Sequence, residues 1–259
     1  MTLDVLICTI DQGILQVPQI ILPPQEGVRW VVSMQYTDEQ YKKLIPAVLT
    51  EREDITLTCI EGKGLCRNRN NAFQYASGDI LLIADDDCQY TAEALNRIIK
   101  TYELNPSADI ILFRSNLEKF FPEQPTLYSK AFQDGYYPSS VEMSLRKGLG
   151  LRFDERFGLG AELLSAGEES VFLKDAENAQ YTIVCIPEQI VTTHRSYVTD
   201  NLLTDKQLQR TKGATFRYLF GTLEAIWRCI KETGYHMVHS HVNPIPLLYN
   251  LLRGIWILQ

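Results

Sequence analysis

Five apolar residues, Ile80-Leu81-Leu82-Ile83-Ala84, run directly into three aspartates, Asp85-Asp86-Asp87. The run is short and rich in branched side chains, so it reads as a buried strand. The acids then fall at the strand's carboxyl end, the edge where open α/β sheets collect ligands. Three adjacent carboxylates repel one another and cost stability unless a cation neutralises them. Their hard oxygens suit Mg2+ or Mn2+, with help from a substrate's phosphates. A solvated acidic turn capping the next helix is the competing reading of these three residues taken alone.

Similar runs recur along the chain. Leu3–Ile10, Val28–Met34 and Asp54–Ile60 read as three earlier strands, and Asp109–Arg114 as one that follows the acids. Between them, Asp38–Leu49 places Tyr41, Leu44, Ile45 and Val48 on one helical face, and Asn68–Tyr75 is also helical. Thr91–Leu104 is an amphipathic helix with Thr91 as its cap. This alternation predicts an α/β fold with a mostly parallel central sheet and helices on both faces. Val17–Gly27, with three prolines, predicts a short helix and a loop. Phe120–Tyr137, aromatic and without a period, predicts irregular structure or edge strands around a cleft. Glu168–Glu177 reads as a helix, and Tyr181–Ile186 and Gln189–Thr193 as two late strands.

Composition narrows the function. A chain of 259 residues, 45% of them hydrophobic, fits one large α/β domain with or without a helical appendage. Its net charge of -7 argues against nucleic-acid binding. Six cysteines without a CxxC pair read as reduced thiols, not as zinc ligands. The amino terminus lacks the pattern of a secretory signal, and no run reaches the roughly 18 to 20 apolar residues of a membrane span. A cytoplasmic protein is therefore expected.

The character changes near Asp205, which predicts a domain over 1–204 and a basic helical extension over 205–259. Residues 206–258 carry seven lysines and arginines against Glu224 and Glu232. Within them, Ala214–Trp227 has the pattern of an amphipathic basic helix, and Ile245–Leu258 is a second apolar stretch. Such a helix either lies on an anionic membrane surface, which would place the protein at the membrane's inner face, or packs on the main domain with its bases in water.

Four segments belong together: Gly64-Leu65-Cys66-Arg67-Asn68-Arg69-Asn70 with Ala72, Ala76, Gly78 and Asp79; the three aspartates; Phe153-Asp154-Glu155-Arg156-Phe157-Gly158 running on to Gly167-Glu168-Glu169; and Val191-Thr192-Thr193-His194. In this order the sequence resembles the family 2 glycosyltransferases, inverting nucleotide-sugar enzymes of the GT-A fold, over about residues 3 to 195. Cys66 and Ala72 stand where the family commonly has Ser and Gly.

The resemblance implies site residues. Arg69 and Asn70 would steady the nucleotide and its diphosphate, for which an arginine fork is suited; a scaffold pairing of Arg69 with Asp79 or Asp87 is the alternative. Asp85 and Asp87 would form the D-x-D pair, Asp85 facing the ribose or a metal-bound water and Asp87 ligating Mn2+ or Mg2+, with Asp86 beside the donor. A second register leaves Asp86 and Asp87 for the metal. Strand alternation favours the first register, since alternate side chains share a face. His194 would complete the metal site. Glu169 would be the general base that deprotonates the acceptor hydroxyl, and Glu168 would bind the acceptor or orient the base. Thr9 and Gln35 would hold the nucleotide base, Gln35 standing where the family has an acid.

The implied partners are a nucleotide-sugar donor and a saccharide or lipid-linked saccharide acceptor in surface polysaccharide or glycolipid assembly. Two rivals stand beside this reading. A nucleotidyltransferase would bring a basic glycine-rich loop after its first strand, where this chain has Asp11-Gln12-Gly13. A non-catalytic sugar-nucleotide-binding protein should have lost the acids.

Overall fold

The fold comes from a computed structural model that describes residues 1–193, 201–240 and 243–258. By internal contacts the chain divides into two compact units. The first comprises Met1–Lys63, Arg67–Arg152 and the described residues of Asp175–Arg195. The second comprises Gly64–Cys66, Phe153–Lys174 and the described residues of Ser196–Gln259.

The first unit is built on an eight-stranded sheet. In chain order its elements are β1 (Leu3–Ile10), β2 (Val28–Tyr36), α1 (Val48–Glu51), β3 (Ile55–Glu61), α2 (Leu65–Tyr75, whose first residues belong to the second unit), β4 (Ile80–Asp85) and α3 (Ala92–Leu104). Then come β5 (Ile110–Ser115), β6 (Thr126–Leu127), α4 (Tyr128–Gln133), β7 (Met143–Arg146), α5 (Glu168–Asn178, shared between the units) and β8 (Ile183–Val191). The strand order is β3-β2-β1-β4-β7-β5-β8-β6. Pairs among β1, β2, β3 and β4, and the β5–β8 pair, are parallel; β7 runs antiparallel between β4 and β5, and β6 antiparallel at the edge. The central strands are buried on both faces, which explains their unbroken apolar runs.

Three sequence expectations change, and one strand is added. The helix expected over Asp38–Leu49 is a 3-10 helix, Glu39–Leu44, capped by Asp38, followed by α1. Pro46 is the cause: it holds Ile45 in an extended conformation (φ -60°, ψ 118°) and ends the helix. The two late strands are one, β8, whose pairing with β5 skips at Pro187 and Glu188, from Phe113–Ile186 to Arg114–Gln189. Phe120–Tyr137 supplies the edge strand β6 but also α4. Strand β7, only four residues long, carries too little pattern to be read ahead of the fold.

The second unit contains α6 (Lys206–Phe220), α7 (Thr222–His239) and α8 (Pro244–Ile255). The helix expected to run through Ala214–Trp227 breaks at Gly221, whose φ of 77° lies outside helical space. Ala225, Cys229, Leu247, Leu251 and Ile255 form the core between the helices. Helices α6 and α8 cross at two glycines. A β-carbon at Gly213 would overlap the Leu251 carbonyl, and one at Gly254 would overlap the Arg210 carbonyl. Backbone carbonyls cannot swing aside as side chains do, so Gly213→Ala must push the helices apart. We expect a loss of about 1–3 kcal/mol, read as a lowered midpoint in a thermal melt. An unchanged midpoint would contradict the close crossing.

Candidate active site

The carboxyl edge of the parallel strands carries the acids. Asp85 is the last residue of β4, and the chain turns at once: Cys88 N donates to Asp85 O at 3.2 Å. Asp86 and Asp87 therefore lie in a turn, beyond the strand. The alternation argument for pairing Asp85 with Asp87 does not apply there, and the three carboxylates meet three different sets of partners.

Asp85 is bound by Arg69 of α2, whose Nη2 donates to Asp85 Oδ1 at 3.1 Å and to Ser140 Oγ at 2.7 Å. Arg69 is 2% exposed and Asp85 35%, so the cation is buried and its carboxylate partner opens toward solvent. Asp79, one candidate scaffold partner, instead accepts from Thr2 N and Thr2 Oγ1. Asp86 accepts from Thr9 Oγ1 at 2.5 Å. Burial pushes the Asp86 carboxyl up from its ordinary value, the Thr9 hydroxyl opposes this, and the charges of Asp85 and Asp87 push the same way as burial. Asp87 Oδ1 accepts from Thr193 Oγ1 at 3.2 Å. Thr193 is held there because Gln89 and Thr192 exchange backbone hydrogen bonds of 2.8 and 3.0 Å.

Asparagines fix α2 against the strand ends. Asn68 Nδ2 donates to Thr9 O at 3.0 Å, and Asn68 Oδ1 accepts from Ser33 Oγ at 2.6 Å. Asn71 Nδ2 donates to the same serine at 2.8 Å. Asn70 is buried, and its carbonyl accepts from Arg152 Nη1. Gln35, near the end of β2, is buried, and its Nε2 has no hydrogen-bond partner among the described residues. Asp11, at a φ of 50°, accepts from Thr37 N and Thr37 Oγ1, tying the loop after β1 to the residue after β2. Cys8 is buried beside Arg69 and Asp85, and burial pushes its thiol up to about 12. It stays protonated at neutral pH and is no nucleophile.

Ser140 was not apparent from the sequence as a site residue. It opens a 3-10 helix, Ser140–Glu142, directly before β7. Because β7 is antiparallel, its start lies at the carboxyl edge of β4, and this brings Ser140 to Arg69. The 3-10 helix is anchored by Glu142, which is fully buried. Its carboxylate accepts from Ser115 Oγ (2.6 Å), Lys119 Nζ (2.7 Å), Tyr136 Oη (2.8 Å) and Ser139 N (3.0 Å). The Ser139-x-x-Glu142 spacing is a capping-box pattern that sequence inspection could have found. Glu142→Ala should cost about 2–3 kcal/mol, since Lys119 is partly exposed and recovers some hydration. A denaturant midpoint equal to wild type would remove Glu142 from this role.

Phe121, Tyr128 and Tyr136 belong to the core, and Phe120 and Tyr137 are exposed.

Residues 33–150 match the sequence model of glycosyl transferase family 2. Under half of the chain lies in that match, and this segment is a family 2 glycosyltransferase domain. The protein is a glycosyltransferase of the GT-A fold, and its structure resembles solved glycosyltransferases. The S. aureus TarS fragment 1–349 is 16% identical, with a TM-score of 0.59 covering 99% of this chain and 81% of that one. Glucosyl-3-phosphoglycerate synthase from Mycobacterium tuberculosis, in complex with Mn2+, UDP and phosphoglyceric acid, is 12% identical with a TM-score of 0.58, covering 85% and 78%. The mannosyltransferase PcManGT from Pyrobaculum calidifontis, in complex with GDP-Man and Mn2+, is 14% identical with a TM-score of 0.57, covering 97% and 73%. No curated protein matches the chain.

In this glycosyltransferase the first unit thus gathers Thr9, Arg69, Asp85, Asp86 and Asp87 into one connected set. The second unit carries Glu168 and Glu169 as the first residues of α5. Glu168 is buried and Glu169 half-buried. The backbone at Gly158 leaves room for Glu168: a β-carbon there would stand 3.2 Å from the Glu168 carboxyl carbon and 2.9 Å from Cys66 Sγ. That contact gives the Phe-Gly pattern at 157–158 a physical reason. His194 lies outside the described residues.

Among the described residues, no three His, Cys, Asp or Glu side chains form a metal cage. The donor set at the turn still fits a hard divalent ion. Mg2+ and its like are commonly held by one or two carboxylates, with substrate phosphates completing the shell. Here Asp85 and Asp87 are the oxygen donors on hand.

Proposed function

We propose that this glycosyltransferase moves a sugar from a nucleoside diphosphate to an acceptor hydroxyl with inversion, using Mn2+ or Mg2+. The observation that carries the reading is the turn at the end of β4, where three carboxylates crowd beside a buried arginine. Such crowding is costly without a cation, and a diphosphate needs one. The domain over 1–204 is the transferase, and 205–259 its extension.

Each residue then has a task. Asp87, with Asp85 and His194, would hold the ion, which neutralises charge on the departing nucleoside diphosphate when bound. Arg69 fixes the Asp85 carboxylate and lends positive charge to the diphosphate. Thr9 orients Asp86 through its hydroxyl. Gln35 and Asn70 take the nucleoside; an unpartnered amide such as Gln35 Nε2 costs about 1–3 kcal/mol, and a base carbonyl would offset that. Glu169 accepts the proton of the acceptor hydroxyl as its oxygen attacks the anomeric carbon. Glu168, buried beside it in sequence, orients the base or the acceptor.

The acceptor is a saccharide or lipid-linked saccharide, met at the inner face of a membrane through residues 206–258. Two structural neighbours were solved with Mn2+, and TarS 1–349 with UDP-GlcNAc, which supports this choice of ion and donor class. The test is a panel of nucleotide sugars incubated with the protein and Mn2+, followed by NMR of any glycosidic product. We expect one or two donors to turn over, with opposite anomeric configuration in product and donor. Retention of configuration would remove Glu169 from the role of base for a single displacement.

A further inference from the structure

Helices α7 and α8 leave apolar side chains in water. Among the described residues, nine of twenty exposed large hydrophobic residues fall between Leu223 and Trp256. On α7, Leu223 (85% exposed), Trp227, Ile230, Met237 and Val238 recur at helical spacing along one stripe. The opposite side of α7, Ala225, Cys229 and Thr233, is buried. On α8, Ile245 (75% exposed), Tyr249 and Trp256 form a second stripe, while Leu247, Leu251 and Ile255 face inward. Neither helix is long and apolar enough to cross a membrane.

Charge selects the occupant of these stripes. Residues 206–258 hold seven lysines and arginines against two glutamates, a surplus of five positive charges, in a chain whose net charge is -7. Lys231 and Arg253 are exposed beside the stripes, and the Arg253 and Arg217 guanidiniums lie 5.7 Å and 5.5 Å from the ring centres of Tyr249 and Trp256. Aromatic rings with flanking cations are the mark of a helix lying in a bilayer interface. Two copies docked through these faces would bring like charge together, whereas anionic headgroups would neutralise it.

We propose that the α7 and α8 stripes insert side by side with Lys231 and Arg253 into the headgroup layer of an anionic bilayer, so that the chain binds lying on the surface. This rests on the reading of 206–258 as a membrane-contacting extension and not on the transfer chemistry. It specifies the face, the side chains and the lipid charge.

The test is co-sedimentation of the full chain with vesicles of phosphatidylcholine alone or mixed with phosphatidylglycerol. Wild type should bind the mixed vesicles, release them as salt rises, and ignore the neutral ones. Lys231→Glu with Arg253→Glu should weaken binding by about fivefold or more per charge removed. Trp227→Ser with Ile245→Ser should weaken it by about tenfold or more even at low salt. All four side chains are exposed, and circular dichroism melts check that the variants fold. No binding to mixed vesicles at low salt, or binding that neither pair alters, would overturn the proposal. So would a dimer in sedimentation velocity that Trp227→Ser with Ile245→Ser dissolves, with vesicles ignored, since the stripes would then bind a second copy. Donor hydrolysis by wild type is read in parallel: vesicle binding without hydrolysis would count against the transfer reading and leave this one intact.

Discussion

Glu169→Gln should lower kcat by about 10²- to 10⁴-fold while leaving the affinity for donor and Mn2+ near wild type. The side chain keeps its shape and loses its ability to accept a proton. Glu169 lies in the first turn of α5, where the dipole favours an acid, so losing the charge costs the variant at most about 1 kcal/mol. The proposed donor-binding residues do not include Glu169, so kcat and donor binding should separate. Steady-state kinetics with the active donor, beside calorimetric donor binding, reads both. If kcat falls less than about tenfold, the base is another group. If donor affinity collapses too, Glu169 is part of the donor site.

Asp87→Ala should act in the other way. If the proposed ligand of the ion is removed in this way, kcat/KM should fall by about 10³-fold, roughly 4 kcal/mol. The same variant has a readout independent of turnover. Wild type should be stabilised against heat by Mn2+ together with a nucleoside diphosphate, because a ligand that binds only the folded state raises the midpoint. Asp87→Ala should lose that increment. Its midpoint without metal should not drop, since one of three crowded like charges has been removed and the Thr193 hydroxyl and Cys88 thiol lose only weak, long contacts. A variant that keeps the Mn2+ increment would assign the ion to other side chains, the register with Asp86 first among them.

Much of this was legible in the chain. The apolar runs that became β1, β2 and β4 are buried on both faces, so their composition alone marks them. Asp85-Asp86-Asp87 stood out because the acid cluster follows such a run directly and sits in order with the three other motif segments. The fate of each acid was not visible. Whether residue 87 continues a strand or enters a turn depends on one backbone hydrogen bond, Cys88 N to Asp85 O. Ser140 was hidden for a different reason. It reaches Arg69 only because β7 inserts antiparallel beside β4, a pairing between residues as far apart in the chain as Leu82 and Ser144.

The helical region shows the limit of periodicity. Ala214–Trp227 carries helical spacing throughout, yet Gly221 breaks it. The exposed stripes of α7 and α8 had the same apolar spacing as buried faces; only packing tells which of two apolar arcs meets the core. The basic surplus of 206–258 was readable at once, because charge counts do not depend on which way a side chain points.

The central claim is that a divalent ion, held at the carboxyl edge of β4, grips the donor's diphosphate. Calorimetric titration of UDP and GDP into wild-type protein, with Mn2+ and then with chelator, tests it most directly. Saturable binding of at least one nucleotide is expected with Mn2+, weakened by a factor of about 100 or more when the ion is removed, a loss of about 2.7 kcal/mol or more. Binding of equal strength with and without the ion would contradict it.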